Sequence, residues 1–148
     1  MNRAGFSLLE FIIVLAILSI ILTISIGFFI RYQRLEAFRG AVSQLVADLN
    51  DTRAQARKTA FDWHLDRTSS TAYSYGYGSP FLIEKKGVLP GGAEFDTTAT
   101  YASSVIYNTP YGNVNASNKT IRLFRTSPDL VAKINIVGVT GKLVAVYE

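Results

Sequence analysis

Cysteine is absent from this 148-residue chain. That excludes disulfides, thiolate metal centres and cysteine nucleophiles at once. Histidine occurs once, at His64, and the sequence holds no HExxH, no glycine-rich phosphate loop and no GxSxG. The usual motifs of zinc peptidases, nucleotide binders and serine hydrolases are therefore missing. Proline first appears at Pro80, so nothing before it forces a helix to stop. Residues 11–30 carry no charge of either sign. As a helix this run reaches about 30 Å, the thickness of the bilayer hydrocarbon. Acidic residues are in slight deficit: the whole chain carries net +4, and residues 31–148 alone hold 14 Lys and Arg against 10 Asp and Glu. A balance this small permits an acidic partner and is equally that of a solvated face.

The apolar run has the wrong shape for an ordinary secretory signal. Such a signal has a run of roughly 7–15 apolar residues followed by a small-residue cleavage site. Here the basic start, Met1–Gly5, is five residues long, the run is longer, and Arg31-Tyr-Gln-Arg34 follows it. A plain single-pass anchor fits these facts. Flanking charge does not orient it, because Arg3 lies on one side and Arg31, Arg34 and Arg39, offset by Glu36, lie on the other. Glu10 adds information, because a carboxylate costs about 2.5–3.5 kcal/mol at mid-bilayer and less near the interface. It suits the positive end of its own helix. A cut after Gly5 would create an ammonium at Phe6, four residues from Glu10, and would leave the span in the mature chain. Glu10 could then pair with the amine of a neighbouring copy.

Gly5-Phe6-Ser7-Leu8-Leu9-Glu10, joined directly to an uncharged run, resembles the prepilin processing motif of type IV pilins and type II secretion pseudopilins. The resemblance implies a leader peptide over residues 1–5, cleavage after Gly5 and N-methylation of Phe6 by a prepilin peptidase. It implies a transmembrane and filament-core helix over 6–30, and a head over 31–148. Glu10 would be the assembly residue that matches the Phe6 amine of its neighbour. The implied partners are other pilin subunits, the peptidase, an inner-membrane assembly machinery and the membrane itself. The head would stand outside the cytoplasm. Gly27 occupies a position where many major pilins have Pro.

From Leu35 the pattern turns amphipathic. Leu35, Phe38, Val42, Leu45, Leu49, Ala56 and Ala60 recur at three-four spacing with Val46 beside them, while Asp48–Thr52 and Arg53–Arg57 mark a polar face. The helix is expected to run from Phe6 to about Thr59, on the order of 80 Å, with its apolar stripe against a downstream sheet. Residues 72–86 read as strand-forming and Pro90-Gly91-Gly92 as a turn; 97–107 read as a loop entering a short strand, and 108–118 as loop. Thr120–Arg125, Val131–Val137 and Lys142–Tyr147 read as three strands at hairpin spacing. The expected fold is α+β, a long N-terminal helix packed on an antiparallel sheet head, which is the type IV pilin fold that the resemblance implies. The strand-rich second half, with Gly138-Val-Thr-Gly141-Lys142 before the last strand, is similar to minor pilins of the GspH/FimT-like group, some of which take part in DNA uptake.

That similarity makes Lys119, Arg122, Arg125, Lys133 and Lys142 candidate DNA contacts, through phosphates; they are equally the outward faces of half-buried strands. Asp62, His64 and Asp66 form the one hint of a metal or acid–base site, and a single His with two carboxylates falls short of the usual zinc set. No metal and no cofactor is expected. Tyr73, Tyr75, Tyr77, Tyr101, Tyr107 and Tyr111 read as strand residues with wet hydroxyls or as an adhesive surface. Asn115-Ala-Ser117 and Asn118-Lys-Thr120 match the glycosylation pattern, read as coincidence. The functions left in view are a filament subunit, more specifically a minor one, serving adhesion, motility, DNA uptake or secretion, and a membrane-anchored binding domain. An anchored enzyme has only the Asp62, His64, Asp66 group behind it.

Overall fold

A computed structural model describes residues 8–114, 119–127 and 129–148. The chain divides into two compact units, Met1–Arg34 and Leu35–Glu148. One helix, α1, spans Leu8–Lys58 and contributes to both. Among the described residues nine strands follow: β1 Trp63–Arg67, β2 Ala72–Tyr77, β3 Leu82–Val88, β4 Glu94–Phe95, β5 Ser104–Asn108, β6 Asn113–Val114, β7 Lys119–Arg125, β8 Leu130–Val137 and β9 Lys142–Tyr147.

In the first unit the helix is apolar all round. Its 18-residue window reaches a mean hydropathy of 2.9, which makes it long and apolar enough to cross a membrane. Its few hydroxyls are satisfied internally. Ser19 donates to the carbonyls of Leu15 and Ala16, Thr23 to that of Ser19 and Ser25 to that of Ile21. No hydroxyl of this group needs a partner outside the helix, as hydrocarbon demands.

In the second unit the helix buries one stripe. Phe38, Val42, Leu45, Leu49, Thr52 and Ala56 are buried at spacings of three and four that keep them on one face, with the buried Ala41 beside Val42. Thr52, assigned by pattern to the polar face, is inside; its hydroxyl donates to the Asp48 carbonyl one turn back, which removes the cost of burying it. Ala60, expected on the stripe, is exposed, because the helix ends at Lys58. Arg57 and Lys58 occupy the last turn, where cations suit the helix dipole.

The strands form two sheets rather than one. A five-stranded sheet has the order β3-β2-β1-β5-β6 and a four-stranded sheet the order β4-β7-β8-β9. Every paired ladder is antiparallel. Backbone bonds join the sheets: Ala102 N–H donates to Thr120 and Val114 N–H to Val139. The alternation of β7 and β8 sends Ile121, Leu123, Ala132, Ile134 and Ile136 inward. There they share one core with Leu65, Tyr73, Val105 and the helix stripe. Two glycines are dictated by space. At Gly76 a Cβ would lie 1.9 Å from the Leu82 carbonyl oxygen, at the point where the β2–β3 register shifts. Gly91, at φ +68°, would bring its Cβ to 2.8 Å from that of Ala37, so the Pro90-Gly91-Gly92 turn seats directly on the helix.

β1, central to the larger sheet, was not expected from the pattern. The two-residue strands β4 and β6 were missed too, β6 inside the stretch read as loop.

Candidate functional site

Gly5 and Phe6 lie outside the described residues, as do Asn115, Ser117 and Asn118 of the sequons. The first described helical turn carries Glu10. It is the one ionisable residue between Leu8 and Ile30, it is exposed, and it has no ionic or hydrogen-bond partner among the described residues. The side chains around it, Leu8, Leu9, Phe11, Ile12 and Ile13, are all at least half exposed. An apolar surface of this extent is stable only in lipid or against other helices. A carboxylate in such surroundings is costly until a cation or donor meets it. Chemically, the segment is a continuous apolar surface interrupted by one carboxylate.

The five candidate basic residues do not gather into one patch. Arg122 and Lys133 stand opposite each other on β7 and β8, on the face away from the core, and each is already neutralised. Arg122 pairs with Asp96 at 2.5 Å and Lys133 with Glu148. Lys119 donates its ammonium to the Ser104 carbonyl, and Arg125 donates to that of Ser127. Lys142 is exposed at the start of β9 and has no ionic partner among the described residues.

Asp96 is the centre of a polar cluster that the sequence reading missed. Its carboxylate accepts from the Thr98 N–H and from Arg122, while Arg67 donates to its carbonyl. The Thr98 N–H first, and Arg122 second, hold its carboxyl below the usual range; the same pairing raises Arg122. The Arg122 guanidinium also lies 5.8 Å from the Tyr101 ring centre. Its signal was available in Asp96-Thr-Thr98, an Asx-turn pattern. The arginines come from distant strands and carry no local signature.

Asp62, His64 and Asp66 are placed by β1. His64 and Asp66 alternate with the buried Trp63 and Leu65 and point away from the core. The His64 ring stacks on Phe81 with centres 5.5 Å apart, and Asp62 accepts the Thr109 N–H. Among the described residues no group of three or more His, Cys, Asp or Glu is placed to hold a metal ion.

The tyrosines divide. Tyr111 is exposed, whereas Tyr73, Tyr75 and Tyr107 are buried, so the reading of wet hydroxyls fails for these three. Tyr73 donates to the Asp48 carboxylate and accepts from Gln44, tying β2 to the helix. Burial first, and Asp48 second, raise its pKa. The Tyr107 hydroxyl is buried without a partner among the described residues, and burial pushes its pKa up to about 12.

Compared with known proteins, residues 1–26 match the family described as the prokaryotic N-terminal methylation motif. No curated protein matches the chain, and no solved structure does. The match covers the segment that holds Gly5, Phe6 and Glu10, and the chain therefore carries this motif at the start of its apolar helix.

Proposed function

We infer that the chain is a type IV pilin-like structural subunit, cut after Gly5 by a prepilin peptidase, methylated on Phe6 and assembled through its apolar helix. The observation that carries this is the methylation motif over residues 1–26 fused, without a spacer, to a helix long enough to span a membrane. Before assembly the apolar segment sits in the inner membrane with the head outside the cytoplasm. On assembly it leaves the lipid for contact with other subunits, and Glu10 sets the register, because a carboxylate left unmatched between apolar helices is costly. The head, stabilised by its own core, is carried on the filament surface. A minor subunit similar to the GspH/FimT-like group, acting in a pilus or a secretion pseudopilus, is the finer form of this reading.

Protein partners are favoured over DNA on the head. Arg122 and Lys133, the two candidates that meet, are each paired with a carboxylate, and phosphate contact needs uncompensated cations.

The test is processing and assembly in a host that carries a type IV assembly system. Gly5→Ala should remain at precursor length. Glu10→Ala should be cut normally and yet enter filaments poorly. Normal filaments from both variants would refute the reading, and a membrane-anchored monomeric domain would take its place.

A further inference from the structure

We propose that β9 is a self-pairing edge: two copies of the chain join through their Lys142–Tyr147 strands, antiparallel about a two-fold axis at Ala145. This does not rest on the filament reading. It rests on the hydrogen-bond phase, the charge pattern and the composition of one strand.

β9 is the last strand of the order β4-β7-β8-β9, paired only with β8 among the described residues. Edge strands in stable monomers are usually short, charged or interrupted by proline. β9 has six residues, Lys-Leu-Val-Ala-Val-Tyr, and Val144, Val146 and Tyr147 are 37%, 43% and 49% exposed. The opposite edge, β4, has only two residues. β9 is thus the sheet's one long edge, and little on it deters pairing.

The backbone decides which register can form. Glu148 N–H donates to the Val131 carbonyl. Antiparallel ladders alternate between bonded and non-bonded pairs. In the β8–β9 register, Val146, Val144 and Lys142 therefore also bond inward, to Lys133, Asn135 and Val137. Leu143, Ala145 and Tyr147 are left with their N–H and C=O groups directed at the open edge. A two-fold pairing must place these outward residues opposite each other. An axis at Ala145 does so, setting Ala145 against itself and Leu143 against Tyr147 of the second copy. Each bonded pair exchanges two hydrogen bonds, so the three pairs supply about six. An axis at Val144 or Val146 also opposes outward residues, but it forms only two bonded pairs within the strand, about four hydrogen bonds.

The same axis satisfies the side chains. It sets Lys142 against Glu148 of the second copy, twice, and Val144 against Val146. Opposite charges face each other at both ends and valines face each other between them, as cross-strand pairing prefers. Lys142 has no ionic partner of its own among the described residues. Glu148 reaches Lys133 within its own chain, so the added contact extends an ion pair into a short network. The number of bonded pairs and the charge pattern are independent features, and both favour Ala145. Such an interface is isologous and closes at two copies.

The absence of cysteine makes the test direct, using the full chain in detergent micelles and in lipid vesicles. In a bonded antiparallel pair the two Ala145 Cα atoms lie about 5.5 Å apart, inside the disulfide range of about 4.4–6.8 Å. Under mild copper oxidation Ala145→Cys should convert to a covalent dimer. Val144→Cys and Val146→Cys should cross-link when mixed and far less when alone. Lys142→Glu in the Ala145→Cys background should weaken pairing on the order of tenfold, and adding Glu148→Lys should restore it. Ala145→Pro, which removes an outward N–H and no bond to β8, should abolish dimers while keeping the head's thermal transition. The proposal is overturned if Ala145→Cys stays monomeric, if it cross-links no better than a cysteine at the exposed Val139, or if larger oligomers replace the dimer.

Discussion

Two tyrosines offer the same chemical deletion with opposite expected results. Tyr73 and Tyr107 are both fully buried. The Tyr73 hydroxyl donates to the Asp48 carboxylate and accepts from Gln44 at 3.4 Å; that of Tyr107 has no partner among the described residues. Tyr73→Phe removes a hydrogen bond to a charged group, worth about 1.5–3 kcal/mol, and leaves a half-buried carboxylate short of its donor. Taking about 2 kcal/mol, and a unit spanning Leu35–Glu148, the melting temperature should fall by about 8 °C. Asp48→Asn should cost less, because an amide oxygen still accepts, and the double variant should show a coupling of about 1–2 kcal/mol. Tyr107→Phe removes a buried polar group that gains nothing in return. It should leave stability unchanged or raise it by about 1 kcal/mol. The measurement is circular dichroism of the full chain in detergent, by heat and by urea. Equal losses for the two phenylalanine variants would show that the hydrogen-bond assignment, and with it the link from helix to sheet, is wrong.

Gly91→Ala must place a side chain at φ +68° and 2.8 Å from the Ala37 Cβ, and should cost about 2–3 kcal/mol in urea denaturation. Gly92→Ala, at φ +69° with nothing nearer than 3.8 Å, should cost only about 1 kcal/mol. Alkali should destabilise the head through Tyr107. Its folded pKa is raised to about 12 against about 10 unfolded, so its contribution is complete below pH 10 and is lost as pH climbs from about 10 to 12. The loss is on the order of 2–3 kcal/mol. Tyr73, shifted in the same direction, adds to it, and Tyr107→Phe should flatten the alkaline limb of a stability–pH curve.

The helix was readable because its signals are local. Phe38, Val42, Leu45, Leu49 and Ala56 repeat at the helical period, and no proline interrupts them. The three C-terminal strands were readable for the same reason, alternating strictly between two turns. What escaped was set by partners far along the chain. β1 is a period-two strand, Trp-His-Leu-Asp-Arg, but its outward His64 and Asp66 drew attention as chemistry rather than as the wet side of a strand. The division into two sheets depends on β1 pairing with β2 on one side and β5 on the other, a choice that no local pattern encodes. β4 and β6, at two residues each, are too short for any period. Thr52 was placed outside by polarity, and only its bond to the Asp48 carbonyl explains its burial. Of the candidate site, the Gly5–Glu10 motif was legible because it is contiguous. The basic set was legible as a list of charges, while the carboxylates that neutralise Arg122 and Lys133 come from just past β4 and β9, far along the chain.

The most direct test of the functional reading is the mass of the mature N-terminus, taken on chain purified from a host that carries a prepilin peptidase. Cleavage after Gly5 with one added methyl group on Phe6 is the predicted result. A chain that still begins at Met1 or Asn2, with the apolar helix in the membrane, would contradict it.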